Sequence, residues 1–239
     1  MRPLYRLRRL VAFLAALALL ASACDGTSAD DPTPVPSPEA TPTPAAPPLT
    51  IFRGFAYPLA GACLPQSDAL MPNAAREYRA GAHEGLDFYE YDNCVEIPYG
   101  GPVLAAKDGV VVRADLHYRD LTAEELAAAN ERIAQGGANE FEVVDLFRGR
   151  QVWVDHGDGI VTRYAHLSAV AEGVEEGASV VQGQTIAYVG DSGTPESLSN
   201  PRQETHLHWE FRTGETFLGA GQPPEEVRAL YELVFEPWP

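Results

Sequence analysis

The sequence predicts an antiparallel all-β domain that carries one inserted helix and one C-terminal helix. Short runs rich in β-branched and aromatic residues recur from about residue 50, and turns containing glycine separate them, as in a sheet built from hairpins. One longer polar segment interrupts this pattern, and a proline-initiated helical pattern stands near the end of the chain. The predicted strands are 102–106, 109–114, 151–155, 159–165, 178–181, 184–190 and 206–212.

The insert spans about residues 116–149 and contains one predicted helix, 123–134. Thr122 and Glu125 stand three residues apart at its start, which is the spacing of a capping box. Gly136 follows the helical pattern and ends it. A second helix is predicted near the C-terminus, where two prolines and two glutamates precede apolar residues that share one helical face, namely Val227, Leu230, Tyr231 and Val234.

Residues 1–23 have the composition of a bacterial export signal. Four arginines come first, the uncharged apolar run 10–20 follows, and small residues precede Cys24. That run is too short to span a bilayer comfortably, so it is interpreted as part of a signal. We therefore expect an exported protein that acts outside the cytoplasm.

Cys24 directly follows the predicted cleavage site, where an unpaired thiol would be exposed outside the cell. We interpret it as the lipidated cysteine of a membrane-anchored lipoprotein, because burying the methylenes of an acyl chain in lipid anchors a protein. A lipoprotein signal usually has leucine three residues before the cysteine, but here Ala21 stands there and Leu20 is one place too early. A cleaved, secreted form remains the alternative.

Residues 24–49 are a predicted tether, and residues 50–239 are predicted to form one domain. Eight of the chain's 20 prolines fall in the tether, which offers almost nothing to bury. Proline-rich segments of this kind are extended and stiff. Such a tether would hold the domain at a distance from the membrane.

Cys63 and Cys94 are the two other cysteines of the chain. An even pair in an oxidising compartment predicts a disulfide, and two buried free thiols are the alternative. The formal net charge of −17 makes the surface acidic. Because such a surface repels phosphate backbones, nucleic acids are excluded as partners.

The motif HEGLD at 83–87 offers two potential metal ligands, His83 and Asp87. On a strand these two side chains share one face, and Gly85 between them would leave open space. The helical zinc motif of metalloproteases needs histidine at both ends, whereas here the second end is Asp87. Glu84 is therefore not assigned as a general base.

The motif HLHWE at 206–210 places His206 and His208 on one face of a strand, with Leu207 and Trp209 facing the core. Two histidines and one carboxylate, with the fourth position left to water, are a suitable catalytic zinc set. Zinc lowers the pKa of bound water toward roughly 7 and polarises a carbonyl group. A remaining histidine nearby can move protons or hold a developing oxyanion.

The chain resembles the lysostaphin-like (LytM-domain) zinc endopeptidases from about residue 55 to residue 212. Each matching motif is weak alone, but their order and spacing together are specific. After HEGLD they are GPVLAA at 101–106, DGVV at 108–111, VDHGDG at 154–159, TRYAHLS at 162–168, VQGQ at 181–184, VGDSG at 189–193 and HLHWE at 206–210.

The resemblance implies one zinc ion bound by His83, Asp87 and His208, with His166 and His206 as catalytic histidines. It also implies a two-layer antiparallel β-sandwich of the lysostaphin, or duplicated-hybrid-motif, type with an open substrate groove. The implied activity is hydrolysis of peptide bonds in bacterial peptidoglycan, and we expect the protein to be a monomer.

A tethered, non-catalytic regulator that binds cell wall and activates another hydrolase is the alternative function, since some members of the family lose ligands. Two segments depart from the family pattern: the helical insert and the polar stretch 194–205. Either segment can reshape the groove or cover it. The resemblance therefore does not indicate which peptide bond is cut.

Overall fold

The computed structural model describes residues 49–77 and 80–236. The predicted export signal, the lipidation site Cys24 and nearly all of the tether lie outside the described residues.

Two antiparallel β-sheets form the body of the domain, as predicted. The larger sheet has the strand order β12-β11-β7-β6-β5-β9, with β3 also paired to β11, and the smaller has the order β4-β10-β8. A two-stranded ribbon, β1-β2, precedes them. The strands are Ala75–Arg76, Gly81–Ala82, Leu86–Phe88, Pro102–Leu104, Gly109–Ala114, Val152–Asp155, Ile160–Ala165, Ala169–Val170, Ser179–Val180, Thr185–Tyr188, Leu207–Thr213 and Thr216–Phe217, numbered β1 to β12 in this order.

One hydrophobic core contains side chains from both sheets. Leu86 and Trp209 of the larger sheet and Val103 and Ile186 of the smaller one are completely buried. Alternation along β11 sends Leu207 and Trp209 into this core, as the HLHWE motif predicts, and the all-β fold class is confirmed.

The insert holds two helices, whereas the sequence predicts one. The predicted helix, α1, spans Ala123–Ala134 with a complete capping box at Thr122. The additional helix, α2, spans Phe141–Arg148, and its N-cap residue, Glu140, makes no side-chain capping bond. This helix is only eight residues long and lacks a start signal, so the sequence pattern does not predict it. The helices pack on each other through a separate cluster around Ala129, Val143 and Phe147.

The C-terminal helix, α3, spans Pro224–Val234 and closes the core as predicted. Val227, Tyr231 and Val234 are fully buried, and the Tyr231 ring packs edge-on against Trp209 at 6.4 Å. Cys63 and Cys94 are joined by a disulfide across 31 residues of chain. Among the residues that the structure describes, no helix is both long and apolar enough to cross a membrane.

Candidate metal centre and its groove

Strand pairing brings the two histidine motifs together. Asp87 in β3 and His208 in β11 are direct partners in the antiparallel register, so their side chains stand side by side on one face. His83 precedes β3, and its backbone N–H is held by the Ala74 carbonyl at 2.8 Å. The pairing of β3 with β11 therefore places all three predicted ligands in one cluster.

Gly85 has a different role from the one expected. A Cβ atom at this position would lie 2.4 Å from the backbone oxygen of Trp209. The glycine thus permits close approach of the HEGLD segment to β11, rather than leaving space between the ligands.

Three potential donor atoms converge within the cluster. His83 Nε2 lies 3.0 Å from His208 Nδ1 and 3.0 Å from Asp87 Oδ1. His208 Nδ1 lies 2.7 Å from the same Asp87 oxygen. All three residues are buried, and within the described part of the chain they form the one group of histidine, cysteine or acidic residues close enough to hold a metal ion.

Hydrogen bonds on the outer side of each ligand leave its inner atom free to coordinate. His83 Nδ1 faces the Met71 carbonyl oxygen at 3.0 Å, and His208 Nε2 faces Glu210 Oε1 at 3.1 Å. Because a carbonyl and a carboxylate can only accept, each imidazole donates outward and directs a lone pair inward. Arg76 donates to Asp87 Oδ2 at 2.7 Å, which leaves Oδ1 facing the histidines.

The cluster fits a zinc ion by its donor chemistry. In this tautomeric state each of the three inward-facing atoms carries a lone pair, and no proton lies between them. A bound cation would accept all three lone pairs. Nitrogen and oxygen ligands about 2.0–2.1 Å from a tetrahedral zinc would lie roughly 3.3 Å apart. The observed separations of 2.7–3.0 Å are somewhat shorter, and a small outward movement of the side chains would admit the ion. Two imidazoles and a carboxylate would hold a zinc ion with a fourth position left for water or substrate.

A buried network of ion pairs contacts His208 through Glu210. Burial alone would raise the pKa of Glu210, but the charges of Arg148 and Arg212 and the hydrogen bond from His208 hold its pKa below the ordinary value, so the group is ionised. Arg148 bonds both Glu210 and Glu84 at 2.6 Å. Glu84 also pairs with Arg212 at 2.7 Å, so its carboxylate belongs to this network.

His166 and His206 stand beside the ligand cluster with their rings 4.5 Å apart. His166 Nδ1 donates to the Ser192 carbonyl at 2.9 Å, and His206 Nδ1 donates to the Glu204 carbonyl at 2.7 Å. Each Nε2 atom therefore carries a lone pair, and that of His206 is 3.8 Å from Asp87 Oδ1. Burial lowers the pKa of both imidazoles, which favours their neutral form.

The cluster opens into a cavity of about 610 Å³. Both segments that depart from the family pattern line it: the insert contributes one wall, and Gly193–Glu196 with Glu204 contribute another. Neither segment fills the cavity. The wall from the insert is formed by Leu126, Asn130, Val144, Phe147 and Arg148.

Two other histidines lie elsewhere. His156 bonds the Asp108 carbonyl and the Thr162 hydroxyl, both at 2.8 Å, in the β6–β7 turn, and these bonds give it a structural role there. His117 is exposed at the start of the insert.

Sequence reasoning missed several residues that support the site. Glu210 was recognisable, since strand alternation puts it on the same face as His206 and His208, and Tyr89 follows Asp87 in the same way. Arg76 and Arg148 gave no such signal, because each reaches the site from another element, the β1-β2 ribbon and α2.

Known proteins share this sequence pattern. Residues 81–219, more than half of the chain, match the model of peptidase family M23. The chain is 29% identical over 133 residues to the peptidoglycan DD-endopeptidase ShyA of Vibrio cholerae, covering 56% of this chain and 21% of ShyA. It is 30% identical over 130 residues to ShyC of the same organism, covering 54% of this chain and 20% of ShyC.

The match spans about a fifth of the length of these curated relatives. Among solved structures, the catalytic domain of the antimicrobial peptidase lysostaphin from Staphylococcus simulans aligns with a TM-score of 0.38 and 20% identity, covering 73% of this chain and 89% of that one. The sequence match over more than half of the chain confirms the resemblance, and the chain belongs to peptidase family M23.

Proposed function

We propose that the protein is a zinc-dependent endopeptidase that hydrolyses peptide bonds of bacterial peptidoglycan. The observation that carries this proposal is the convergence of His83 Nε2, Asp87 Oδ1 and His208 Nδ1 beside two further buried histidines. Membership of family M23 and the similarity to two peptidoglycan endopeptidases support the substrate class.

In the proposed reaction His83, Asp87 and His208 hold the metal. Zinc in such a set supplies Lewis-acid polarisation of the scissile carbonyl and lowers the pKa of a bound water toward roughly 7. The free Nε2 atoms of His166 and His206 are suited to accept the proton of the attacking water and to return it to the leaving amine. The protonated form of either imidazole can also donate a hydrogen bond to the developing oxyanion.

The groove selects an extended peptide rather than a folded protein. The cavity is about 610 Å³, and it lies between the insert and the 194–205 segment. A cavity of this size holds a few residues of peptide beside the reacting bond. Stem and cross-bridge peptides of peptidoglycan have that form.

The test is release of peptide fragments from purified peptidoglycan by the full-length chain, identified by mass spectrometry. We expect fragments with new termini that disappear with chelator, return with zinc, and are absent for His208→Ala. The matched control is His117→Ala, which removes an exposed histidine and should retain activity.

Peptidoglycans of several stem and cross-bridge compositions belong in the same experiment. Fragments from one composition would name the bond that is cut. If zinc-loaded protein releases nothing from any of them, yet stimulates another wall hydrolase, the non-catalytic regulator replaces this proposal.

A further inference from the structure

Tyr89 stands beside His206 at the end of β3. The phenol ring stacks on the His206 imidazole with centroids 4.3 Å apart and planes inclined by 12°. Tyr89 directly follows β3, two residues after Asp87, and both side chains line the same cavity. The stack therefore holds the plane of the His206 ring beside the ligand cluster.

The Tyr89 hydroxyl makes a second connection to the same histidine. It donates to Glu204 Oε2 at 3.0 Å, and the backbone carbonyl of Glu204 accepts the hydrogen bond from His206 Nδ1 at 2.7 Å. Tyr89 thus stacks on the His206 ring and also donates a hydrogen bond to Glu204, whose backbone carbonyl fixes the His206 tautomer. Glu204 belongs to the segment that departs from the family pattern.

We propose that Tyr89 is the positioning residue of His206, keeping its plane and its Nδ1-protonated tautomer so that Nε2 faces the reacting groups. This inference rests on the proposed function, since it assigns His206 a proton-transfer role. Tyr89 acts through His206 and makes no bond to the ligand cluster in this account.

The kinetic test compares Tyr89→Phe and Tyr89→Leu with wild type. Phenylalanine keeps the stack and loses the Glu204 bond, whereas leucine loses both. Because small misplacements of a catalytic group are costly, we expect kcat to fall about 10-fold or more for leucine and by less for phenylalanine. KM and zinc affinity should stay within about 3-fold of wild type, as expected when transition-state interactions alone are lost.

Tyr57→Leu is the matched control. Tyr57 is also a half-buried tyrosine in a stacked pair, with the Phe235 ring at 3.9 Å, but it lies outside the groove. The Tyr57→Leu variant should be less stable than wild type but should keep the wild-type kcat. Glu204→Ala removes the acceptor of the Tyr89 hydroxyl and should resemble Tyr89→Phe.

A second readout is independent of activity. Imidazole ¹⁵N spectra of the zinc-loaded protein report which ring nitrogen of His206 carries the proton, with the signal assigned by its loss in His206→Asn. Wild type should show the proton on Nδ1 alone, and Tyr89→Leu should show a mixture of tautomers.

Two results would overturn the inference: an unchanged His206 tautomer in Tyr89→Leu, or a rise in KM with unchanged kcat, which would make Tyr89 a substrate contact. If wild type releases no fragments, the proposed function fails. The tautomer spectra still decide in that case whether Tyr89 positions the ring.

Discussion

At the scale of single residues, the site depends on carboxylates and carbonyls that orient histidines. Strand alternation could place His206 and His208 on one face, and the resemblance to a known family could add His83 and Asp87 to the same site. It could not find Arg76, whose contact with Asp87 depends on how the first ribbon folds against β3.

Glu210→Gln tests the support behind His208. Glutamine removes the charge that strengthens the His208 Nε2–H bond, so zinc should bind about 10-fold more weakly or worse. Competition with a chromophoric chelator measures this. Glu215→Gln, in the exposed β11–β12 turn, is the control, and equal zinc affinity in both variants would contradict the role of Glu210.

The partly buried His156 is expected to lower the stability of the fold at acid pH. Burial lowers its pKa in the folded state, so the unfolded imidazole binds a proton more readily. The contribution of His156 to the free energy of unfolding is complete above the ordinary histidine pKa of about 6.5. It is lost as the pH falls below that value. Urea unfolding of wild type and His156→Gln from pH 7.5 to 5 should show a shallower decline in the variant. Equal declines in the free energy of unfolding of wild type and His156→Gln would contradict this prediction.

At the scale of elements, the insert is joined to the site through the end of α2. The Arg148 carbonyl accepts the His166 backbone N–H at 2.8 Å, while its guanidinium bridges Glu84 and Glu210. The sequence predicted α1 because its capping box is a local signal. It could not predict α2, which is stabilised by packing on α1 and by the buried network.

Arg148→Gln tests this connection. Removing one partner of a buried ion pair leaves the other charge poorly compensated, so we expect a loss of about 3 kcal/mol in unfolding free energy by urea titration. Arg132→Gln removes the exposed Arg132–Glu140 pair on the same insert and should leave the transition nearly unchanged. Equal effects of the two substitutions would show that the Arg148 network contributes no special stability.

At the scale of the whole molecule, residues 81–219 belong to peptidase family M23, and the tether and the N-terminal anchor remain predictions from the sequence. The domain could be predicted well because the motifs of family M23 recur in order and at regular spacing. The shape of the groove could not, because the insert and the 194–205 segment come together only in the folded chain.

Cys24→Ser tests the proposed anchor. Growth with an alkyne fatty acid should label wild type in the membrane fraction, and the serine variant should lose both the label and the membrane association. A wild-type chain that is secreted without label would replace the anchored form by the cleaved one.

The central claim is that His83, Asp87 and His208 hold one zinc ion. Metal content of the purified chain, measured by elemental analysis after dialysis against dilute zinc, tests it most directly. We predict one zinc per chain for wild type and for His117→Ala, and less than a tenth of that for His83→Ala, Asp87→Ala and His208→Ala when each remains folded. Zinc retained by these three variants, or absent from wild type, would contradict the account.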